Sequence, residues 1–309
     1  MKNGIRNEAG KFVAYINGEV VYSGRKQERV ELEYTRALKR AGKLTRVESQ
    51  VNDNVSEPTS TFSINKRFGF LEKTVRMVAK GVQPSAVISG SGGLGKSYTV
   101  RKSLIASGLK EFSYLDLPTP TEDNPNPVIN RRGTFTTVKG FSTAKGLYRT
   151  LFENNGGVIV FDDCDSVLKD PVALNLLKGA LDSYDVRVIS WNADMRDEDL
   201  PRSFIFTGQV VFISNMIESK IDQAIRSRSA VIDVSMTLDE VVERMEVMVA
   251  DPEFLPQYDV DVKKDALSFI DEFKGKMREV SLRTLITVCK ARAEEPQDWK
   301  EFAEYMTVR

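Results

Sequence analysis

Residues 90–97 read Gly-Ser-Gly-Gly-Leu-Gly-Lys-Ser, a complete G-x-x-x-x-G-K-[ST] pattern. Each residue type has a physical reason. Gly90, Gly92, Gly93 and Gly95 let the backbone turn tightly and aim its N–H groups inward at phosphate oxygens. Ser91 and Leu94 fill the unrestricted positions of the loop. Lys96 reaches the β- and γ-phosphates, and the Ser97 hydroxyl ligates Mg²⁺. Tyr98 follows directly and is read with the loop as nucleotide-contacting. Ala86-Val87-Ile88 before the loop reads as a buried strand. Residues 98–107 read as a helix whose N-terminus faces the phosphates. The stretch therefore predicts binding of a nucleoside triphosphate, with ATP and Mg²⁺ as the expected cofactors.

Bulk properties narrow the classes. The chain has 309 residues, 41% of them apolar and 28% charged, enough for a full core and a charged surface. Lys+Arg and Asp+Glu balance at 44 each, so no global basic field points to nucleic acid. Histidine is absent, which excludes Ser-His-Asp hydrolysis, His-based proton transfer and His metal sites. Cys164 and Cys289 lie far apart, which suits a reducing cytosol. No apolar run approaches the roughly 20 residues that span a bilayer. Residues 1–6 carry no apolar leader segment. A cytoplasmic protein without a membrane is expected.

The chain reads as four parts. Residues 1–46 form a small module, with a β-hairpin (11–16 and 19–23) turning at Asn17-Gly18 and a helix over 25–42. That helix carries Arg29, Arg36, Lys39 and Arg40 on one face. Residues 47–63, rich in Ser, Thr, Asn, Glu and Pro, read as a linker. Residues 64–235 read as an α/β nucleotide-binding domain. It has a helix over 68–81, strands at 112–115, 158–161, 186–191, 203–206 and 210–213, and helices from 142 and over 171–184. A polar, proline-bearing loop spans 118–132. Residues 236–309 read as a helical lid domain, with every strong segment from Leu238 onward helical. Strands alternating with helices and followed by a helical tail predict a parallel sheet flanked by helices, with a C-terminal helical lid.

Val158-Ile159-Val160-Phe161-Asp162-Asp163 is an apolar strand ending in paired acids. Such a strand delivers Asp162 to the sheet rim, where its carboxylate holds Mg²⁺ together with Ser97. Asp163 is placed to orient or deprotonate an attacking water. Asn215 ends the next apolar strand and points at the same rim, within reach of the γ-phosphate or the water.

With these residues in place, the chain resembles the AAA+ ATPases over about residues 65–300. The resemblance rests on the loop 90–97, the acidic strand end 158–163 and Asn215, which is similar to the sensor-1 position. Two further segments continue the family's order. Ala224-Ile225-Arg226-Ser227-Arg228-Ser229 resembles its arginine-finger segment, with Arg228 the better match and Arg226 the runner-up. Ser281-Leu282-Arg283-Thr284-Leu285 resembles sensor 2, with Arg283 facing the phosphate. One departure stands out: the family usually places Glu where this chain has Asp163, retracting the carboxylate by one methylene.

The resemblance implies a P-loop NTPase module of the AAA+ type that hydrolyses ATP. Asp163, Asn215, Arg228 and Arg283 would be its catalytic set. A finger acting in trans implies a homo-oligomer, a ring or spiral of about six. Val138-Lys139-Gly140-Phe141-Ser142 falls where the family has its first pore loop, and 186–206 resembles the pre-sensor-1 hairpin of one branch. The implied function is a remodelling motor or switch acting on DNA or protein. The alternatives are a slow loader or matchmaker and, less favoured, a small-molecule phosphotransferase. Its compact size suits a bacterial or bacteriophage protein.

Overall fold

The computed structural model describes residues 4–8, 11–16, 19–24, 30, 60–113, 129–140, 143–192 and 200–308. The chain divides into two compact units, Met1–Glu57 and Pro58–Arg309. In the first, β1 (Gly4–Glu8), β2 (Lys11–Ile16) and β3 (Glu19–Gly24) form an antiparallel sheet in that order. The predicted hairpin is β2–β3, pairing Ile16 with Glu19 and Tyr15 with Val20. β1 adds a strand that sequence reading left out. The turn at Asn17-Gly18, the basic helix apart from Val30, and residues 47–59 of the linker lie outside the described residues.

The second unit is built on a six-stranded sheet. Its strands are β4 (Ser85–Ser89), β5 (Lys110–Glu111), β6 (Thr134–Lys139), β7 (Val158–Asp162), β10 (Gln209–Ile213) and β11 (Ala230–Asp233). Their order is β11-β4-β10-β7-β6-β5, with every pair parallel. β4 and β7 are buried along their whole length. This is why they read as unbroken apolar runs. Alternate residues serve opposite faces. Val158 and Val160 pack with Ile64, Phe68, Leu71 and Val75 of α1 (Ile64–Ala79) and with Val100 and Leu104 of α2 (Lys96–Ala106). Ile159 and Phe161 pack with Leu147 and Leu151 of α3 (Ala144–Glu153) and Leu177 of α4 (Pro171–Ala180).

β8 (Arg187–Ser190) and β9 (Ser203–Phe206) form a separate antiparallel ribbon. It is the hairpin expected between 186 and 206, and the acidic stretch 194–199 at its tip lies outside the described residues. After β10 come a short α5 (Gln223–Arg226) and β11. Four helices follow: α6 (Leu238–Ala250), α7 (Val260–Phe273), α8 (Leu282–Glu294) and α9 (Trp299–Thr307). They enclose their own core around Met245, Phe269, Leu285 and Val288. Thr237 and Glu240 start α6 with a reciprocal capping box. Arg67 of α1, buried, donates to the Ser235 carbonyl and pairs with Glu240, fixing that start against the sheet domain.

The structure corrects several boundaries. The helix expected from residue 68 begins at Ile64; the strand expected at 112–115 is not found at 112–113, which follow the two-residue β5, and residues 114–115 lie outside the described residues. β6 and β11 were not expected as strands. β6 takes in Val138 and Lys139, so the pore-loop reading of 138–142 does not hold for its first two residues. Phe141 and Ser142, the rest of that segment, lie outside the described residues.

Candidate functional site

Parallel strands all end at one rim, and the register lines up what they carry. Lys139, Asp162 and Ile213 are successive partners across β6, β7 and β10, and Ile213 pairs with Ile88 of β4. The residues just beyond, Gly90, Asp163 and Asn215, therefore emerge side by side, at the carboxyl ends where α/β sheets bind ligands.

The loop turns as its glycines require. Gly90, Gly93 and Gly95 have φ of 137°, 73° and 85°, values that side-chain-bearing residues rarely adopt. Space excludes a side chain as well: a Cβ on Gly93 would lie 2.8 Å from Ser281 Cβ. Gly95 caps α2 without a side-chain bond, leaving the first helical amides free toward the loop. An uncapped helix N-terminus of this kind fits an anion.

Lys96 lies beneath the loop, 4% exposed. Its ammonium donates to the Gly90 carbonyl (2.6 Å), the Ser91 carbonyl (2.7 Å) and Asn215 Oδ1 (3.0 Å). Burial pushes its pKa down to about 8; Asp163, Asp162 and Asp165 pull it up, and Arg283 pushes it down further. An arriving phosphate would reverse that depression. Nucleotide binding is therefore expected to take up protons at and above about pH 8. Calorimetry in buffers of different ionisation enthalpy reads this uptake, and equal heats in all of them would rule it out.

Ser97 Oγ donates to Asp162 Oδ1 at 2.7 Å. A hydroxyl and a buried carboxylate at hydrogen-bonding distance are the hard oxygen donors that Mg²⁺ takes alongside phosphate oxygens, so this pair fits the ion. Asp163 has φ of 58°, a left-handed conformation that Asp tolerates better than most residues. Asn215 Nδ2 donates to its carboxylate at 2.7 Å. Asn215 thus bridges Lys96 and Asp163. Ser214 Oγ bonds Asp165 at 2.6 Å, bracing the end of β10.

The lid closes one side. A cleft of about 270 Å³ is bounded by Gly92–Tyr98, Asp163 and Asn215 below, and by Met248, Phe254, Leu282, Arg283 and Ile286 from the lid. Arg283 is exposed and overhangs the loop. Leu282 N–H donates to the Gly93 carbonyl at 2.8 Å. Leu94 is buried in the same cluster as Met248, Phe254 and Leu282. The Tyr98 hydroxyl reaches Asp251 at 3.4 Å. The apolar lid residues of the cleft were missed in the sequence, where they read only as the inner faces of amphipathic helices.

Arg228 is elsewhere. It lies two residues before β11, and its carbonyl accepts from Ser85 Oγ (3.1 Å) at the opposite end of β4 from the loop. The structure thus brings Lys96, Ser97, Asp162, Asp163, Asn215 and Arg283 together and sets Arg228 apart.

Parallel sheet, glycine loop, acidic strand end and helical lid define the class: an α/β module with a P-loop at the carboxyl rim of a parallel sheet, covered by a helical lid. Comparison with known proteins adds relatives. No family model matches the chain. An uncharacterized 36.7 kDa protein of Enterobacteria phage T4, from the nrdC-mobD intergenic region, is 27% identical over 258 residues, covering 78% of this chain and 73% of its own. Among solved structures, NtrX from Brucella abortus in complex with ATP is similar at a TM-score of 0.43 and 15% identity over 88% of this chain. The chain spans 61% of NtrX. The Thermotoga maritima RuvB Holliday junction branch migration motor is similar at a TM-score of 0.45 and 13% identity, over 79% of this chain and 68% of its own.

Proposed function

We propose that the chain is an AAA+ ATPase whose subunits assemble with nucleotide between them and remodel DNA or a protein. The observation that carries this reading is the assembly at the rim: Lys96 under the loop, Ser97 bonded to Asp162, and Arg283 overhead. In it, the loop amides, Lys96 and Arg283 bind the triphosphate, and Ser97 and Asp162 hold Mg²⁺, which neutralises charge on the β- and γ-phosphates. Asp163, oriented by Asn215, aligns the attacking water and takes its proton. Arg228 reaches the γ-phosphate held by the next subunit. The position of Arg228 at the far end of the sheet supports a shared site and a homo-oligomer, with a ring or spiral of about six as the working number. Among the described residues no helix is long and apolar enough to cross a membrane. The phage T4 relative supports a role in a phage-infected bacterial cell.

A second reading, a loader or matchmaker that recruits a partner while holding ATP, is favoured by one contact. Asp163 is short and already engaged by Asn215, which suits slow hydrolysis. One experiment separates the two. ATP turnover is measured alone and with single-stranded DNA, double-stranded DNA or a disordered protein, alongside mass with a non-hydrolysable ATP analogue. Polymer-stimulated turnover and a nucleotide-dependent rise in mass are expected of the motor. Assembly with slow, unstimulated turnover would establish the loader instead. A protein that stays monomeric with nucleotide bound would sink the shared-site model.

A further inference from the structure

We propose that Lys139 is a resident cation of the metal position: its ammonium neutralises Asp162 in the metal-free protein and gives way when Mg²⁺ arrives with ATP. The inference rests on the reading of Asp162 as a metal-holding carboxylate. Lys139 is the last residue of β6 and the register partner of Asp162 on β7. Its Nζ lies 3.2 Å from Asp162 Oδ2, while Ser97 Oγ occupies Oδ1. Both carboxylate oxygens are therefore covered, one by a hydroxyl and one by a charge.

The exposures of the pair give the contact its meaning. The Asp162 side chain is 6% exposed and that of Lys139 is 71% exposed. A buried carboxylate without a cation is strongly disfavoured, and Lys139 supplies the charge. Its own ammonium stays largely in water, so it can leave at little cost. Lys96 is the opposite case, buried and fixed by three acceptors. A dication at Asp162 would repel the ammonium at this distance, so the two exchange rather than share the carboxylate. A cavity of about 340 Å³, lined by Ser97, Arg101, Thr137, Lys139 and Asp162 among others, gives the released side chain room. The consequence is competition: metal alone binds weakly, and metal brought by phosphates displaces the lysine.

Mn²⁺ titration of the nucleotide-free protein, read by electron paramagnetic resonance, tests this. Removing an exposed competing charge in Lys139→Met should tighten Mn²⁺ binding by about threefold. Lys139→Arg, which keeps the charge, should bind Mn²⁺ as the wild type does. Lys139→Met should also melt below wild type in EDTA, and either added Mn²⁺ or a second substitution, Asp162→Asn, should restore the melt. Equal Mn²⁺ affinity in wild type and Lys139→Met would overturn the proposal, as would tightening of the same size in Lys139→Arg. ATP affinity, measured separately, keeps the outcomes distinct. Normal ATP binding with an inert Lys139→Met overturns only the role of Lys139. Absent ATP binding in the wild type overturns the ATPase reading and the displacement by ATP-borne metal, and leaves the pairing of Lys139 with Asp162 to the Mn²⁺ titration.

Discussion

Arg228→Ala is expected to abolish ATP turnover, by about a thousandfold or more, while leaving ATP affinity nearly intact. The residue sits away from the phosphate loop of its own chain. β4 carries the phosphate loop at its carboxyl end, and at its other end Ser85 bonds the Arg228 carbonyl. Five residues of strand put the two roughly 15 Å apart. The Arg228 guanidinium uses one nitrogen on the Ala224 carbonyl, and its Nε is buried without a partner. It lines a broad cavity of about 780 Å³ with Arg187, Asp182 and Asp185. Arg226 instead donates its Nε to the Ile221 carbonyl and does not line that cavity, which favours Arg228 as the finger. Mixing supplies the decisive control. Arg228→Ala keeps a whole nucleotide site and Lys96→Ala keeps a whole finger, so two inactive proteins should regain turnover when combined. Unchanged turnover of Arg228→Ala alone would remove the assignment, and a mixture that stays dead would remove the sharing between subunits.

Lys96→Met is expected to weaken ATP binding by about a hundredfold or more, since it removes the buried charge that meets the phosphates. The same variant should melt no lower than wild type near neutral pH. The folded protein holds this ammonium with its pKa lowered from 10.5 to about 8, by burial above all. That depression is an unfavourable term of about 3 kcal/mol, present in full below the folded pKa. Met removes it, while leaving the Gly90 and Ser91 carbonyls without their donor. Between about pH 8 and 10.5 the unfolded chain carries a proton that the folded chain does not. Wild-type stability should therefore rise with pH across that window relative to Lys96→Met. Thermal melts at pH 7 and pH 10 read the difference. A variant that melts well below wild type at pH 7 would show Lys96 to be a structural pin first.

What could be read ahead of the structure follows a physical line. The loop was legible because glycine, lysine and serine at those spacings have few other uses together, and β7 and β10 because strands buried on both faces show no alternation. β6 was not, since Thr134–Lys139 is polar at four of its six positions and ends in a lysine, as a strand toward the sheet edge does. β11 was hidden behind the arginine segment that precedes it. Asp162, Asp163 and Asn215 were legible as strand ends. The partnership of Lys139 with Asp162 was not, because it exists only through register across neighbouring strands. Spacing likewise gave no sign that Arg228 lies at the opposite end of β4, or that Met248, Phe254 and Ile286 wall the cleft.

The bond from Leu282 N–H to the Gly93 carbonyl, with Leu94 buried among lid residues, has a consequence for linkage. The lid is fastened to the loop proposed to hold phosphate, with no element interposed. Any body that favours one lid position therefore changes nucleotide affinity, and nucleotide changes the affinity for that body by the same factor. A neighbouring subunit or a cargo pressing on α8 would act as an effector of ATP binding without touching ATP.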